Sequence, residues 1–377
     1  MISEVFINRS ATFLPFAPVD NDSMESVLGM VAGRPSRARR IVLRNNGIRN
    51  RHYAIDRTTG EPALTNAQLT AYAVRALGKL GTVDCLASGT SFADQLLPGH
   101  GVMVHGELGW PQLEVASLAG VCLAGAAALK YAAMAVACGG AKRAVATASE
   151  LVSPLLLARN FEAETEHRIA SLEQRPEIAF ERDFLRWMLS DGAAALLLED
   201  RPGEGLSLQI RWIELFSNAH LLPTCMYAGA EKEADGSLRG WMRFPTTEWA
   251  SRSVFAIKQD VRLLNEHVAP VTICGPMAAL RDRHDLRPDD IDWFLPHISS
   301  MYFRPILERT LASIDFVIPP ERWFTNLAER GNTGSAAPYI MLDELWRSGR
   351  LRPGHRILLY IPESGRFSSS FVYLQAR

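Results

Sequence analysis

Apolar residues recur along this chain in two alternating rhythms. Short, nearly unbroken apolar runs mark strands buried on both faces, and longer runs with helical spacing separate them. Val5-Phe-Ile-Asn begins the first strand, and Ala11-Thr-Phe-Leu-Pro-Phe reads as a loop. Thr65 caps a helix over 65–79 that stops at Gly81, and Val83 to Thr90 follows as a short buried strand with a polar end. Ser117-Leu-Ala-Gly-Val-Cys122 is a small-residue turn that opens an apolar helix reaching Cys138 and ended by Gly139-Gly140. Strands at 143–149 and 193–199 come next, on either side of a charged, irregular excursion from Asn160 to Arg186. Past Arg201-Pro-Gly-Glu-Gly205, a strand begins at Leu206, and residues 218–247 are irregular. Ser251 to Val268 reads as helical, with the helix continuing past Pro270. Then come a strand closing on His297, a helix from Tyr302 to Leu311, a turn at Gly331-Asn332 entering a helix, and strands at 355–361 and 367–374.

Set side by side, the two halves repeat one order of elements. Helix, strand with a polar end, small-residue turn into a helix, strand and strand occur at 65–79, 83–90, 117–138, 143–149 and 193–199. The same order recurs at 271–283, 291–297, 331–347, 355–361 and 367–374. The boundary falls at the Pro/Gly linker, giving halves 1–202 and 203–377. Strand–helix alternation predicts layered α/β architecture, and a pseudo-twofold arrangement brings together the helix starts that carry Cys122 and Asn332, with His297 beside them.

Composition narrows the class. The 377 residues include 40 Lys and Arg against 41 Asp and Glu, so no net field favours nucleic acid or an anionic membrane. Five scattered cysteines make neither a disulfide framework nor a paired Cys-x-x-Cys metal site, as expected in a reducing cytoplasm. The amino-terminal residues lack the basic and apolar regions of a signal peptide. The Ala-rich run from Val115 to Ala137, interrupted by glycines and Lys130, reads as a buried helix rather than a membrane span. These features predict a soluble, cytoplasmic globular protein.

Cys122 is the first candidate for chemistry. Small neighbours let other backbone approach it, and a helix starting beside it would offer unpaired N–H groups that lower the thiol pKa toward neutrality. Taken alone, a cysteine in an Ala-rich helix is first a small buried apolar residue. The basic segment between Arg34 and Arg51 is first a solvated surface, and second a docking site for a phosphate-bearing partner.

Several motifs in order change that balance. Gly47-Ile-Arg-Asn-Arg-His52, Ser190-Asp-Gly-Ala-Ala-Ala-Leu-Leu-Leu, Leu286-Arg-Pro-Asp-Asp-Ile-Asp-Trp-Phe-Leu-Pro-His297, Gly331-Asn332-Thr, and Asp343-Glu-Leu with Gly349-Arg-Leu-Arg-Pro-Gly354 span nearly the whole chain. Together they resemble the 3-oxoacyl-acyl-carrier-protein synthases III (KAS III) of the thiolase fold. The resemblance implies an αβαβα core and an acyltransferase that needs no bound metal or redox cofactor. Cys122 would take an acyl group from a thioester, while His297 and Asn332 would hold a second thioester as it decarboxylates. The backbone N–H groups of Cys122 and Gly365 would form the oxyanion hole. Substrates would arrive on phosphopantetheine, from an acyl carrier protein or coenzyme A, with Arg44, Arg49, Arg51 and Arg304 as the cationic candidates. Such enzymes pair as homodimers through an extended sheet.

The pattern departs from the family in four places. The stretch after His297 reads Ile-Ser-Ser300, the approach to Cys122 is longer, the glycine-rich turn reads Glu363-Ser-Gly-Arg, and residues 218–250 form a long insert. These departures point to a specialised member, near enzymes that make aryl polyene or dialkylresorcinol products. Glu107 is a candidate base for carbon–proton abstraction, though it reads first as a helix-surface or dimer-contact carboxylate. His105 and His220 read as structural. Three activities stay open: decarboxylative Claisen condensation, ring-forming condensation or acyl shuttling by the same fold, and a non-catalytic partner subunit.

Overall fold

The computed structural model describes residues 3–36, 39–161 and 185–377. Its framework is a nine-stranded sheet of β1 (Phe6–Phe13), β2 (Cys85–Thr90), β3 (Glu114–Ala119), β4 (Arg143–Glu150), β5 (Gly192–Glu199), β6 (Leu208–Phe216), β7 (Trp293–Pro296), β8 (Arg356–Pro362) and β9 (Ser369–Ala376). Their spatial order is β7-β8-β9-β6-β1-β5-β4-β2-β3. The seam between β6 and β1 is narrow, with Phe6 opposite Gln209 and Ile7 opposite Leu208. Outward from that seam the pairing repeats. β1–β5 and β5–β4 are antiparallel and β4–β2 parallel, as β6–β9 and β9–β8 are antiparallel and β8–β7 parallel. β3 adds a further parallel strand at one edge.

Six helices cover the faces: α1 (Asn66–Arg75), α2 (His100–Leu108), α3 (Ala124–Ala137), α4 (Val261–His284), α5 (Arg304–Ala312) and α6 (Ala337–Arg347). Strand side chains alternate in direction, so each strand feeds two apolar layers. One layer packs Ala87, Ala146 and Leu196 with Ile357, Leu359 and Val372 around Leu129 of α3 and Leu342 of α6. The opposite face of the first strand set, with Leu86, Val145 and Leu197, packs on Leu69 and Val74 of α1 and Val104 of α2. The opposite face of the second set, with Phe294, Leu358 and Phe371, packs on Ile273 and Met277 of α4 and Leu307 of α5. The result is an αβαβα stack with α3 and α6 in the middle.

Local chemistry explains the element ends. Thr65 accepts from the Gln68 N–H while Gln68 reaches back, a reciprocal capping box for α1. Asp260 caps α4 through the Leu263 N–H. Three expectations are corrected. Ala11-Thr-Phe13 is strand rather than loop, because it pairs with Ala195, Ala194 and Ala193 of β5. Ser117 to Ala119 extends β3 rather than opening α3, pairing with Ser88 to Thr90. Residues 251–260 are turns and a short pairing of Lys258-Gln259 with Met226-Tyr227, so α4 starts ten residues later than its apolar spacing suggests. Pro270 and Pro276 lie inside α4, whose Val268, Ile273, Met277 and Leu280 are buried; packing there outweighs the missing N–H groups. Most of the charged excursion, 162–184, lies outside the described residues.

Candidate active site

The parallel strands β4, β2, β7 and β8 and the starts of α3 and α6 meet at one end of the stack, where open α/β sheets commonly bind ligands. Gly125 of α3 makes the central approach possible. A Cβ there would lie 2.6 Å from the Ser335 carbonyl oxygen and 2.7 Å from Ala148 Cβ. The Tyr339 hydroxyl fastens the two helices by donating to the Gly125 carbonyl at 2.9 Å.

Between these elements lies a cavity of about 260 Å³ that Cys122, His297 and Asn332 all line. The structure thus brings together three residues separated by up to 210 positions. Much of the remaining wall is apolar, with Met188, Leu189, Leu264, Val268, Phe303 and Leu307. Such a wall suits an acyl chain.

Asn332 is held from three directions. Its N–H donates to the Met188 carbonyl and its own carbonyl accepts from Ser190 N–H. Its Oδ1 accepts from Gly334 N–H at 3.0 Å, which leaves the amide NH₂ as the end with donors to offer. The Ser190-Asp191-Gly192 motif is the clamp behind this turn. Asp191 accepts from the N–H groups of Ala54, Val152 and Ser153, and Ser190 Oγ accepts from His52 N–H. His297 follows β7, with its N–H bonded to the Tyr360 carbonyl. Its Nε2 is buried and has no hydrogen-bond partner among the described residues. Burial holds this imidazole neutral, down to about 4.

Cys122 stands two residues before α3 and is buried. The expected lowering of its pKa is overturned. Burial pushes the thiol well up from its ordinary value, and the charges of Glu150 and Glu363 push it the same way. Neither carboxylate was among the candidates from sequence. Glu150 ends β4 and lines the cavity. Its Oε1 accepts from Ser91 N–H, Ser91 Oγ and Ser335 N–H at 3.2, 2.6 and 3.0 Å. The one visible signal was a carboxylate closing an otherwise small and apolar strand, Arg143-Ala-Val-Ala-Thr-Ala-Ser-Glu150.

Glu363 follows β8, and its half-buried carboxyl receives hydrogen bonds from Ser368 and from the Gly365 N–H. The Gly365 backbone lies against this carboxyl, so Glu363 would compete with a substrate oxygen for the Gly365 N–H. Glu107, the candidate base, reads first as a helix-surface or dimer-contact carboxylate. It lies on α2 outside the cavity lining, where its backbone carbonyl accepts from Arg75.

The four arginines separate. Arg51 is fully buried, with Nη2 donating to the Trp187 carbonyl at 2.6 Å and Nη1 to Asn21 at 2.5 Å. Burial draws its pKa down to about 10, and a guanidinium spent on backbone is a structural brace rather than a docking group. Arg49 is exposed and paired with Glu329. Arg44 is exposed in the last turn of the helix Arg39–Asn46. Arg304 pairs with Glu308 at 3.1 Å and lies over the Trp323 ring. Among the described residues, no group of three or more His, Cys, Asp or Glu is placed to hold a metal ion, and no helix is long and apolar enough to cross a membrane.

Comparison with known proteins agrees with this arrangement. Residues 282–365 match the family described as 3-oxoacyl-[acyl-carrier-protein (ACP)] synthase III C terminal. The β-ketoacyl-[acyl-carrier-protein] synthase III of Paramagnetospirillum magneticum is 24% identical over 319 residues, 84% of this chain and 85% of that protein. The solved structure of AbyA1, a tetronic acid condensing enzyme, superposes with a TM-score of 0.72 at 22% identity, covering 98% of this chain and 99% of that one. Xanthomonas campestris OleA, solved with bound lauric acid and lauroyl-CoA, superposes with a TM-score of 0.73 at 20% identity, covering 100% of both chains. Layering, strand order and these superpositions define a thiolase-fold protein. Within that fold, the carboxy-terminal match and the relative aligned over 84% of the chain make it similar to the KAS III condensing enzymes.

Proposed function

We propose that Cys122 accepts an acyl group from a thioester and that the chain then joins it to a malonyl- or β-ketoacyl-thioester by decarboxylative Claisen condensation. The observation that carries this reading is the convergence on one apolar cavity of a thiol, a neutral imidazole whose Nε2 has no partner among the described residues, and the Asn332 amide. His297 Nε2 and Asn332 Nδ2 would steady the enolate oxygen released as carbon dioxide leaves, and the new carbon nucleophile would attack the acyl carbonyl and expel Cys122. Ring-forming condensation of two β-ketoacyl thioesters is the second reading. The two carboxylates beside the thiol favour it, since they add proton-accepting capacity that decarboxylation does not require.

We further read 1–202 and 203–377 as two thiolase-like halves, since their strand pairing repeats outward from the β1–β6 seam. A homodimer fits the exposed edge of β3 and the nearby exposed side chains of Leu96 and Leu97, 68% and 85% accessible. Acyl groups carried on phosphopantetheine, from carrier protein or coenzyme A, fit the cavity's apolar lining and the exposed Arg44 and Arg49. A cytoplasmic location suits the free cysteines. Intact-protein mass spectrometry after exposure to a panel of acyl-carrier and acyl-CoA thioesters tests the central claim. An adduct is expected on Cys122 and absent in Cys122→Ala. Equal acylation of that variant would overturn it, and carbon dioxide release with each second substrate separates the two readings.

A further inference from the structure

Acylation of Cys122 needs somewhere for the thiol proton to go, and the imidazole in the cavity is a poor acceptor because burial holds its pKa at about 4. Glu150 is a built alternative. It lines the same cavity, and its Oε2 is buried without a hydrogen-bond partner among the described residues. Its other oxygen is fixed by three donors, from Ser91 and Ser335, so the carboxyl has one anchored end and one open end. Gly334, at φ +51°, belongs to the same design. A Cβ at that position would lie 2.6 Å from Glu150 Cγ and 2.8 Å from its Cδ, so only glycine lets the carboxyl lie there. An unpaired buried carboxyl oxygen is costly unless something uses it.

We propose that Glu150 is the proton acceptor for Cys122 during acyl loading, an assignment that rests on the thioester reading above. As Cys122 Sγ bonds to the thioester carbonyl carbon, its S–H bond breaks and the proton passes to Glu150 Oε2. The tetrahedral oxyanion then re-forms its carbonyl and breaks the bond to the donor's sulfur. The departing phosphopantetheine thiolate takes the proton from Glu150. The balance closes on acyl-Cys122, free carrier thiol and ionised Glu150, with no further reactant. When condensation expels Cys122 as a thiolate, the sulfur takes up one proton from solvent, and Glu150, left ionised by loading, is placed to pick that proton up and pass it to the sulfur. Burial raises the Glu150 carboxyl to about 7, against the pull of its Ser91 and Ser335 donors, which suits a group that gains and loses a proton at neutral pH. The other titratable groups lining the cavity are Cys122, Tyr227, His297 and Tyr360, and the charge of Glu363 acts on the same thiol.

Glu150→Gln is the discriminating variant, because Gln keeps an oxygen for the three donors and alters only the open end. The readout is the rate of acyl-Cys122 formation from one acyl-CoA thioester, by intact mass, across pH 5.5–9. A melting curve and iodoacetamide labelling of Cys122 at pH 9 check that the variant's site is intact. Loss of the acceptor is expected to slow acylation ~10²–10⁴-fold at pH 7.5 and to erase the limb of the pH profile near 7. A purely electrostatic or structural Glu150 predicts the opposite sign: removing its charge lowers the thiol pKa, so acylation is unchanged or faster, and the proposal falls while the acyltransferase reading stands. If the wild-type chain takes no acyl group on Cys122 from any thioester, that reading and this proposal fall together.

Discussion

The strands on the two sides of the β1–β6 seam deliver different chemistry from matching places. α3 is preceded by Cys122, and α6 by the turn that holds Asn332. β2 runs out into Ser91, which anchors a carboxylate, while β7 runs out into His297. β4 ends at Glu150, and β8 is followed by Glu363. A shared framework thus keeps six positions around one cavity and divides the work among them. On the function proposed above, the first set would supply the nucleophile and its proton acceptor, and the second neutral donors for an oxyanion. Glu150 and Glu363 sharpen the contrast. Glu150 has its free end buried in the cavity wall, whereas Glu363 follows β8 outside the cavity lining, with Ser368 and Gly365 countering the burial that raises its carboxyl.

The largest test of this division lies in the second set. His297→Ala and Asn332→Asp each remove a donor, and the aspartate keeps the oxygen that Gly334 N–H needs. Condensation is expected to fall ~10²–10³-fold in each while acyl-Cys122 still forms and accumulates. Equal loss of acylation would break the division of labour. The two are told apart by intact mass in the absence of the second substrate.

The pH dependence of stability offers the next test, because the two sides titrate in opposite senses. Glu150, raised to about 7, holds its proton in the folded chain over a range where the unfolded chain has lost it. Its contribution is complete below its ordinary value of 4.5 and is lost as pH rises through 7. His297 is depressed to about 4, so its contribution is complete above 6.5 and is lost as pH falls toward 4. Glu150→Gln cancels only the first. Its stability relative to wild type is expected to improve by ~1–3 kcal/mol between pH 5 and pH 8 in parallel urea titrations. A constant gap would contradict the buried-carboxyl account.

Two arginines from one motif give a smaller contrast. Arg51→Ala removes two of the three donors to the buried Trp187 carbonyl, leaving only Asn46 Nδ2, and orphans the Asn21 oxygen; it should cost ~1–3 kcal/mol in the same assay. Arg49→Ala, at an exposed pair, should change stability by no more than ~0.5 kcal/mol, its effect appearing instead as a higher KM for a carrier-borne donor. The smallest effect is expected at Glu363. Glu363→Gln removes one charge that raises the Cys122 thiol, so iodoacetamide alkylation of Cys122 at pH 8 should quicken by up to ~10-fold. No change would mean the carboxyl is already neutral there.

Much of this arrangement was legible along the chain because it is written in local terms. Apolar runs of strand length, helical spacing and caps act over a few residues, and they located the five-element order of each half and the turn at Asn332. Where they failed, a distant partner decided. Ala11-Thr-Phe13 became strand because β5 offered it a register, and α4 passed two prolines because its apolar side is buried. The trio Cys122, His297 and Asn332 was readable as motif, but its meeting in one cavity belongs to the packing of α3 on α6 through Gly125. Roles that depend on burial were beyond the sequence altogether. Arg51 and Arg49 are two residues apart, and only the tertiary structure makes one a brace and the other a surface charge. Glu107 and Glu150 are both carboxylates near a cysteine in sequence, and only folding leaves the first on a helix outside and seals the second beside the thiol. Local sequence determines which elements form, because hydrogen bonding and periodicity are short-ranged. Which side chains lose their water, and which charges then face one another, is settled by chain segments that meet only in the fold.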